Sequence, residues 1–295
     1  MYEGYDLDIN GELMIFKAFA KINLAIDVLE KRDDGYHNID LICVPLELHD
    51  FLEIEEYGER CGTYVTSDDT SLICDESNLV YVAYRAVKHK YNLHAGFRIK
   101  IYKRIPTAAG LAGGSADAAS IINGLIKMKK LNVSDKDKIN LGLEIGSDVP
   151  YCLFNKPSRI QGKGEIITPI KIKNPYFVLL IKPQQGLSTK DVYEQADICL
   201  RDKPDIEGVI KALEKDDEKL LEKSMKNGLQ HAAIELLPEI EEIINELKEN
   251  DMNLSMMSGS GSTVFTLSHN LKKLKSLKAM FEDEGYQAYL TKMMI

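Results

Sequence analysis

A cluster of small residues lies between a strand-like run and a helical pattern. The segment IPTAAGLAGGSADAAS, residues 105–120, places three glycines and six alanines around Ser115, and FRIKIYKR leads directly into it. A glycine turn between a strand and a helix lets backbone N–H groups and the positive helix end receive a phosphate. The spacing matches neither GxGxxG nor GxxxxGK followed by Ser or Thr. A helix of small residues packed closely on a sheet is therefore the alternative interpretation.

Lys21 and Asn23 could form a second chemical site. They lie two positions apart in an alternating strand pattern, so both side chains project from one face, about 7 Å apart. Taken alone, the pattern predicts a half-solvated strand with a polar outer face. Asp148, in GSDVP, could accept a proton or simply cap a short helix that has Pro150 in its first turn.

Two further segments have equally plain alternatives. Tyr36 and His37 follow a DG turn, where exposed aromatic side chains are unremarkable. The GSGS segment at residues 259–262 could be an ordinary β-turn. None of these features identifies a function by itself.

The composition limits the classes of function. A chain of 295 residues with 44% hydrophobic residues can form one large or two medium domains. The net charge of −9 argues against nucleic acid as the main partner, because phosphate backbones are bound by clustered Lys and Arg. It permits a small anionic ligand, which needs only local donors.

The expected compartment is the cytoplasm. No apolar run approaches the roughly 18 residues of a membrane span, so we expect no membrane partner. The acidic N-terminus lacks a signal-peptide pattern, and residues 1–13 could be an extension before the first strand. No CxxC pair occurs, which argues against a zinc site or a disulfide framework among Cys43, Cys61, Cys74, Cys152 and Cys199.

Residues 14–155 predict alternating strands and helices. The apolar alternation from Phe16 to Val28, the turn DDGYH and the run NIDLICVPLEL predict a β-hairpin. Amphipathic patterns predict one helix capped by Ser77 and another over residues 115–129. A third helix should begin at the cap Ser134 and stop at Gly146.

The pattern changes at NKPSRIQGKGEIITPIKIKNP, a loop- and hairpin-like stretch with three prolines. Strands are then predicted at YFVLLIKP and YQAYLTKMM, and SMMSGSGSTVFTL predicts two strands joined by a glycine turn. Helices are predicted around residues 206–214, 216–227 and 238–249. The whole predicts two α+β units with a boundary near residue 160.

Four segments together carry a family resemblance. AFAKINLAIDVLEKRDDGYHNID, IPTAAGLAGGSADAAS, GSDVPYCL and MSGSGSTVF occur in this order. They resemble the GHMP superfamily of small-molecule kinases, in which such a glycine-serine loop binds ATP. The resemblance extends from Phe16 to the C-terminus. It implies the two-domain α+β GHMP kinase fold. An ATP-binding, ribosomal protein S5 domain 2-like N-terminal domain should occupy residues 1–160, and a substrate-binding, ferredoxin-like C-terminal domain residues 161–295.

The resemblance also implies roles for individual residues. Lys21 and Asp148 match the family's catalytic pair, and Asn23 matches a residue that positions the methylerythritol part of a substrate. Tyr36 and His37 match the pair that stacks on and hydrogen-bonds cytosine. The segment GLSTKDVY resembles a family segment that binds the substrate, which implies two more substrate-binding residues, Thr189 and Tyr193.

ATP-binding residues follow in the same way. Residues near the adenosine are matched by Asn78 and Leu79. The phosphate loop and the positions after it correspond to Pro106, Thr107, Ala108, Ala109, Gly110, Leu111, Ala112, Gly113, Gly114, Ser115, Ala116 and Asp117. Ala116 departs from the family pattern, where a second Ser is common, and Asp117 is Asn in some members. Mg²⁺ is expected with ATP, and Ser115 is a candidate ligand.

The activity implied is ATP-dependent phosphorylation of the 2-hydroxyl of 4-diphosphocytidyl-2-C-methylerythritol, on the methylerythritol phosphate route to isoprenoid precursors. The partner would be a small molecule with a cytidine diphosphate group, and the chain a monomer or weak homodimer. Alternatives are a homoserine- or mevalonate-type kinase, or a non-catalytic binding protein of the same fold. The Tyr36–His37 pair argues against the first, and intact Lys21 and Asp148 against the second. An NAD-dependent enzyme is disfavoured because the glycine spacing is wrong.

Overall fold

The computed structural model describes residues 7–9, 13–59, 62–199 and 201–295. The chain forms two compact units, and each is assembled from three separate segments of the sequence. The first unit comprises Met1–Ala20, Leu48–Pro106 and Ala112–Asn155, and the second comprises Lys21–Glu47, Thr107–Leu111 and Lys156–Ile295. Two long strands, β2 (Leu13–Lys31) and β3 (His37–Glu59), run through both units. The predicted hairpin is therefore present and longer than expected.

The first unit has its strands in the order β1, β2, β3, β5, β4, with β1 at Leu7–Ile9, β4 at Tyr64–Ser67 and β5 at Ala95–Tyr102. Strands β1 and β2 are antiparallel, as are β3 and β5, whereas β4 runs parallel to β5. Its helices are α1 (Leu79–Tyr91), α2 (Gly113–Met128), α3 (Asp135–Leu143) and α4 (Val149–Cys152).

Small residues allow α2 to approach the sheet closely. Ala118 and Ala119 are buried, and a Cβ atom added at Gly124 would lie 2.7 Å from Ile54 and 3.1 Å from Phe16. A larger residue would push the helix away from β2 and β3. The close-packing interpretation of the alanine-rich segment is thus correct for the body of this helix.

The second unit adds strands β6 (Ser158–Gly162) and β7 (Ile166–Pro169), which pair with each other while β6 also pairs with β3. A separate antiparallel sheet has the strand order β11 (Gln287–Lys292), β8 (Phe177–Lys182), β10 (Val264–Ser268) and β9 (Ser255–Met257). The helices of this unit are α5 (Thr189–Ala196), α6 (Ile206–Lys215), α7 (Glu218–Ser224), α8 (Gln230–Leu236), α9 (Glu239–Glu249) and α10 (Leu271–Asp283).

Several predicted boundaries were wrong by a few residues. Asn78, not Ser77, caps α1, since its Oδ1 accepts a 2.9 Å hydrogen bond from Val80 N. Helix α3 has the predicted cap at Ser134 but ends at Leu143, before Gly146. The helix predicted over residues 216–227 is the shorter α7, and the short helices α5 and α8 were not predicted.

Cys61 and part of the predicted N-terminal extension fall outside the residues that the structure describes. In that extension, residues 1–6 and 10–12 lie outside the described ranges, whereas Leu7–Ile9 pairs with β2. The domain boundary near residue 160 stays a prediction. Within the described part of the chain, no helix combines the length and the apolar character needed to cross a bilayer.

Candidate active site

Lys21 and Asn23 lie in the middle of β2, where both faces of the strand are buried. Lys21 is 3% exposed and Asn23 is 2% exposed, so the interpretation as a half-solvated strand was wrong. The Lys21 ammonium donates to Asn23 Oδ1 at 2.8 Å and to the Gly110 carbonyl oxygen at 3.3 Å. Burying an ammonium is costly unless it is hydrogen-bonded, so this pair is a specific polar feature inside a strand.

Gly110, in the segment that precedes α2, contacts the second glycine turn. It has φ of +69°, and a Cβ at this position would collide with the Ser258 carbonyl oxygen. Ser258 Oγ donates a 3.1 Å hydrogen bond to the Gly110 carbonyl oxygen. Leu111 O accepts a 3.1 Å bond from Lys21 N. The part of the first glycine-rich motif that lies in the second unit, residues 107–111, thus contacts the second glycine turn through Gly110.

Asn227 supports this element and was not singled out in the sequence. It is 2% exposed, and its Nδ2 donates 2.9 Å hydrogen bonds to the carbonyl oxygens of Met257 and Gly259. Its Oδ1 accepts a 2.9 Å bond from Leu229 N. An Asn followed by Gly signals a turn, but no local pattern indicates that this side chain holds a glycine turn 30 residues later.

The N-terminus of α2 is suited to an anion. Ala112, the N-cap residue, is in the left-handed region with φ of +57°, and no side chain caps the helix. No acidic residue occupies the first turn, and Ser115 is half-buried there. Free first-turn N–H groups and the positive helix end favour a phosphate at this position. The residues present therefore fit the phosphate groups of a nucleotide.

Asn78 and Leu79, the residues expected near an adenosine, lie beside this helix start. Asn78 caps α1, and Leu79 Cδ1 would be 3.5 Å from a Cβ added at Gly114. Leu79 therefore contacts the first turn of α2, within the first unit. Of these two sequence-predicted residues, the structure brings Leu79 to the start of the glycine-rich helix, and Asn78 precedes it.

Asp117 takes part in a buried charge cluster. Lys103 Nζ donates to Asp117 Oδ2 at 2.9 Å and also to Asp50, and all three side chains are buried. Asp50 Oδ1 additionally accepts from Ile105 N at 2.8 Å. Burial, reinforced by the neighbouring Asp50 charge, raises the pKa of Asp117 to about 8. Asp117, one of the expected ATP-binding residues, thus lies against Lys103 instead of on an open surface.

Five side chains of the second unit lie near the turn between β2 and β3. The rings of His37 and Tyr193 have centroids 5.3 Å apart, tilted by 30°. His37 Nε2 lies 2.8 Å from Asp197 Oδ1, and Asp197 was not nominated by the sequence. Tyr36 is 55% exposed, with Lys163 Nζ 5.7 Å from its ring centroid. Of the residues that the sequence proposed for a base, the structure brings the rings of His37 and Tyr193 together, and Tyr36 precedes His37 with an exposed ring.

Thr189 and Asp148 occupy helix starts. Thr189 Oγ1 lies 2.9 Å from Ser260 Oγ, which joins the first turn of α5 to the second glycine turn. Asp148 is the N-cap residue of α4, yet its side chain makes no capping hydrogen bond. The capping interpretation is therefore not supported. Asp148 belongs to the first unit and Lys21 to the second, and their proximity stays a prediction.

No group of three or more His, Cys, Asp or Glu side chains that could hold a metal ion occurs among the described residues. The hydroxyl of Ser115 at the start of α2 remains a candidate ligand for a cation carried by the phosphates of a nucleotide.

Sequence comparison identifies two family domains in the chain. The family described as GHMP kinases N terminal domain matches residues 78–156, and that described as GHMP kinases C terminal matches residues 209–287. The first match contains the glycine-rich segment and Asp148. The second contains the glycine turn at Ser258.

Curated relatives match over most of the chain. The 4-diphosphocytidyl-2-C-methyl-D-erythritol kinase of Clostridium acetobutylicum is 38% identical over 280 residues, covering 95% of this chain and 99% of the relative. The kinase of the same name from Caldicellulosiruptor bescii is 38% identical and covers 90% of this chain and 92% of its own length.

Solved structures share the fold. A crystal structure of 4-(cytidine 5'-diphospho)-2C-methyl-D-erythritol kinase superposes with a TM-score of 0.78 at 26% identity, covering 95% of this chain and 99% of that one. Homoserine kinase from Cytophaga hutchinsonii has a TM-score of 0.75 at 16% identity, covering 99% and 97%, which shows a shared fold alone.

Proposed function

The chain belongs to the 4-diphosphocytidyl-2-C-methyl-D-erythritol kinases of the GHMP kinase family, and we propose that it transfers the γ-phosphoryl group of ATP to the 2-hydroxyl of 4-diphosphocytidyl-2-C-methyl-D-erythritol. The products are ADP and the 2-phosphate, with release of the hydroxyl proton. This reaction lies on the methylerythritol phosphate route to isoprenoid precursors. The observation that carries the proposal is identity of 38% to kinases of this name over nearly the whole chain.

We infer that ATP binds at residues 106–117, with Asn78 and Leu79 near the adenosine. The uncapped first turn of α2 and the absence of acidic residues there support phosphate binding. Gly110, held by Ser258, keeps the preceding segment in a conformation that a side chain would prevent. Mg²⁺ would neutralise phosphate charge when bound, and Ser115 is the residue of the loop that could reach it.

Lys21 and Asp148 are the proposed catalytic residues. Phosphoryl transfer depends on positioning and charge neutralisation more than on covalent chemistry. Lys21, held in place by Asn23 and the Gly110 carbonyl oxygen, supplies a fixed positive charge for the transferring group. Asp148 orients the acceptor hydroxyl or takes its proton, which is typically worth 10²–10⁴-fold in rate. Its carboxylate makes no capping hydrogen bond to α4.

The substrate is proposed to bind by both of its ends. Asn23 positions the methylerythritol portion, while Tyr36 and Tyr193 stack on cytosine and His37 hydrogen-bonds its edge. Thr189 lies at the start of the helix that carries Tyr193. Tyr36 has the exposed ring that a stacking partner needs, and Tyr193 lies beside His37.

The test is substrate-dependent release of ADP. Purified protein with Mg²⁺ and ATP should form ADP only when 4-diphosphocytidyl-2-C-methylerythritol is added. Homoserine and mevalonate serve as controls, because kinases for them share this fold but need no cytosine site. Turnover of either control in place of the cytidine compound would overturn the substrate assignment. Equal ADP release when no acceptor compound is added would show ATP hydrolysis instead of phosphoryl transfer to this substrate.

A further inference from the structure

Asp197 is the common partner of three basic side chains at the end of α5. Its Oδ1 lies 2.8 Å from His37 Nε2 and 3.4 Å from Arg201, and its Oδ2 accepts from Lys31 at 2.6 Å. The hydrogen bond from Lys31, aided by that from His37, holds the pKa of the Asp197 carboxyl below its ordinary value. Asp197 is therefore an anion at neutral pH and can only accept hydrogen bonds.

A hydrogen-bond acceptor beside one imidazole nitrogen fixes the proton on that nitrogen and leaves the other nitrogen unprotonated in the neutral ring. Because Asp197 cannot donate, His37 Nε2 must carry its proton. In the neutral ring, Nδ1 is then left as a lone-pair acceptor. The His37 side chain is 5% exposed and is also flanked by Tyr193, so the ring has little freedom to turn.

We propose that Asp197 is a positioning residue that fixes the tautomer and orientation of His37 and thereby selects cytosine over uracil in the substrate. This inference rests on the proposed function, since it concerns the base that the kinase recognises. Asp197 acts through His37 and does not itself touch the substrate.

The chemistry of the two bases gives the selection its direction. Cytosine presents an amino group, a donor, at the position where uracil presents a carbonyl oxygen, an acceptor. An Nδ1 acceptor pairs with the amino group of cytosine and opposes the carbonyl oxygen of uracil. A polar site built for one hydrogen-bonding pattern rejects the other because its buried groups are left unpaired.

Lys31 and Arg201 keep Asp197 in place. Arg201 also donates to the Ala196 carbonyl oxygen at 2.8 Å and to the Val28 carbonyl oxygen at 3.2 Å, so it joins the end of α5 to β2. Lys31 is half-exposed and can move, whereas His37 is buried. An amide at position 197 would therefore turn its oxygen towards His37, which makes Asp197→Asn a conservative replacement for this role.

The experiment compares kcat/KM for the cytidine substrate and for its uridine analogue. We expect wild type to prefer cytidine, Asp197→Ala to reduce that preference at least about tenfold, and Asp197→Asn to keep most of it. Asp191→Ala, on the first turn of the same helix, is the matched control and should keep the wild-type ratio. General loosening of α5 would lower activity towards both bases alike. An unchanged ratio in Asp197→Ala would overturn the proposal.

A second readout does not depend on activity. The ¹⁵N NMR signals of His37, assigned by comparison with His37→Gln, report which ring nitrogen carries the proton. Wild type and Asp197→Asn should show the proton on Nε2, and Asp197→Ala should show a mixture or the other tautomer. Inactivity of wild type on the cytidine compound would defeat the proposed function. The same tautomer in Asp197→Ala would defeat the positioning role of Asp197 specifically.

Discussion

The main-chain carbonyl oxygen of Ser258 occupies the space that a side chain on Gly110 would need. The two residues are 148 positions apart, and Ser258 Oγ donates to the Gly110 carbonyl oxygen at 3.1 Å. The same carbonyl oxygen accepts from Lys21 Nζ at 3.3 Å. A turn from the C-terminal part of the chain and the proposed catalytic lysine thus both bond to one carbonyl oxygen of the proposed phosphate loop.

Gly110→Ala should therefore impair activity and stability together. The new methyl group meets a backbone atom that cannot move away as a side chain would, and φ of +69° adds strain. Gly285→Ala is the matched control, because Gly285 has φ of +93° but nothing within 4 Å of an added Cβ. We expect that control to cost about 1 kcal/mol of unfolding free energy with normal kinetics. Equal kinetics for the two variants would contradict the contact argument.

Lys21→Met should lower kcat by at least about 10² while the protein remains folded. The substitution keeps an apolar chain of similar length in the buried strand and removes the charge beside Asn23 and Gly110. Lys17→Met, four residues earlier on the same strand, controls for the general effect of removing a lysine. Steady-state kinetics and circular dichroism measure the two properties. Near-normal kcat in Lys21→Met would show that its charge is structural.

Asp148→Ala should lower kcat at least about 10²-fold, and it removes no capping hydrogen bond from α4. Asp217→Ala gives the opposite pattern. Its carboxylate accepts a 3.0 Å bond from Leu220 N at the start of α7, so its loss should cost about 1 kcal/mol without affecting kinetics. Normal kcat in Asp148→Ala would contradict the proposed catalytic role of Asp148.

Tyr36→Ala should mainly raise KM for the cytidine substrate, because stacking stabilises the ground and transition states alike. The ring is 55% exposed, so its removal should leave the fold intact. Tyr64→Ala, at a comparably exposed tyrosine in the first unit, should leave KM unchanged. A fall in kcat at unchanged KM in Tyr36→Ala would argue against a stacking role.

Local patterns were sufficient to predict most of the fold. The alternation in β2 and the cap at Ser134 depend on neighbouring residues, and these elements were found. Asn78 was missed as a cap because Ser77 and Asn78 are both good capping residues and only the contact with Val80 N separates them. The short helices α5 and α8 have too few turns for a clear periodicity.

The site was less predictable because its contacts are distant in sequence. Burial of the polar face of β2 depends on partners such as Gly110, 89 residues after Lys21. Asp197 lies 160 residues after His37, in a segment without any motif, and is identified only by the structure. The predicted site residues were identified because they lie in motifs that resemble a known family. The residues that support them, such as Asn227 and Asp197, lie in no motif that the sequence reveals.

The buried cluster of Asp117, Lys103 and Asp50 should make stability fall as pH rises. Two carboxylates share one ammonium there, and burial raises the pKa of Asp117 to about 8, against about 4 for an unfolded carboxyl. Between these values the folded chain keeps a proton that the unfolded chain releases. The free energy of unfolding therefore declines as pH rises through this window, by at most about 1.4 kcal/mol per pH unit from this group.

Denaturant unfolding of wild type and Asp117→Asn between pH 5 and 8 isolates this effect. The amide keeps the shape of the protonated acid and does not titrate, so we expect the variant to lose less stability than wild type as pH increases. Titrating groups outside this cluster contribute equally to both proteins and cancel in the difference. If the two curves run parallel, Asp117 is ionised throughout and Lys103 balances both carboxylates with help from the backbone N–H groups on Asp50.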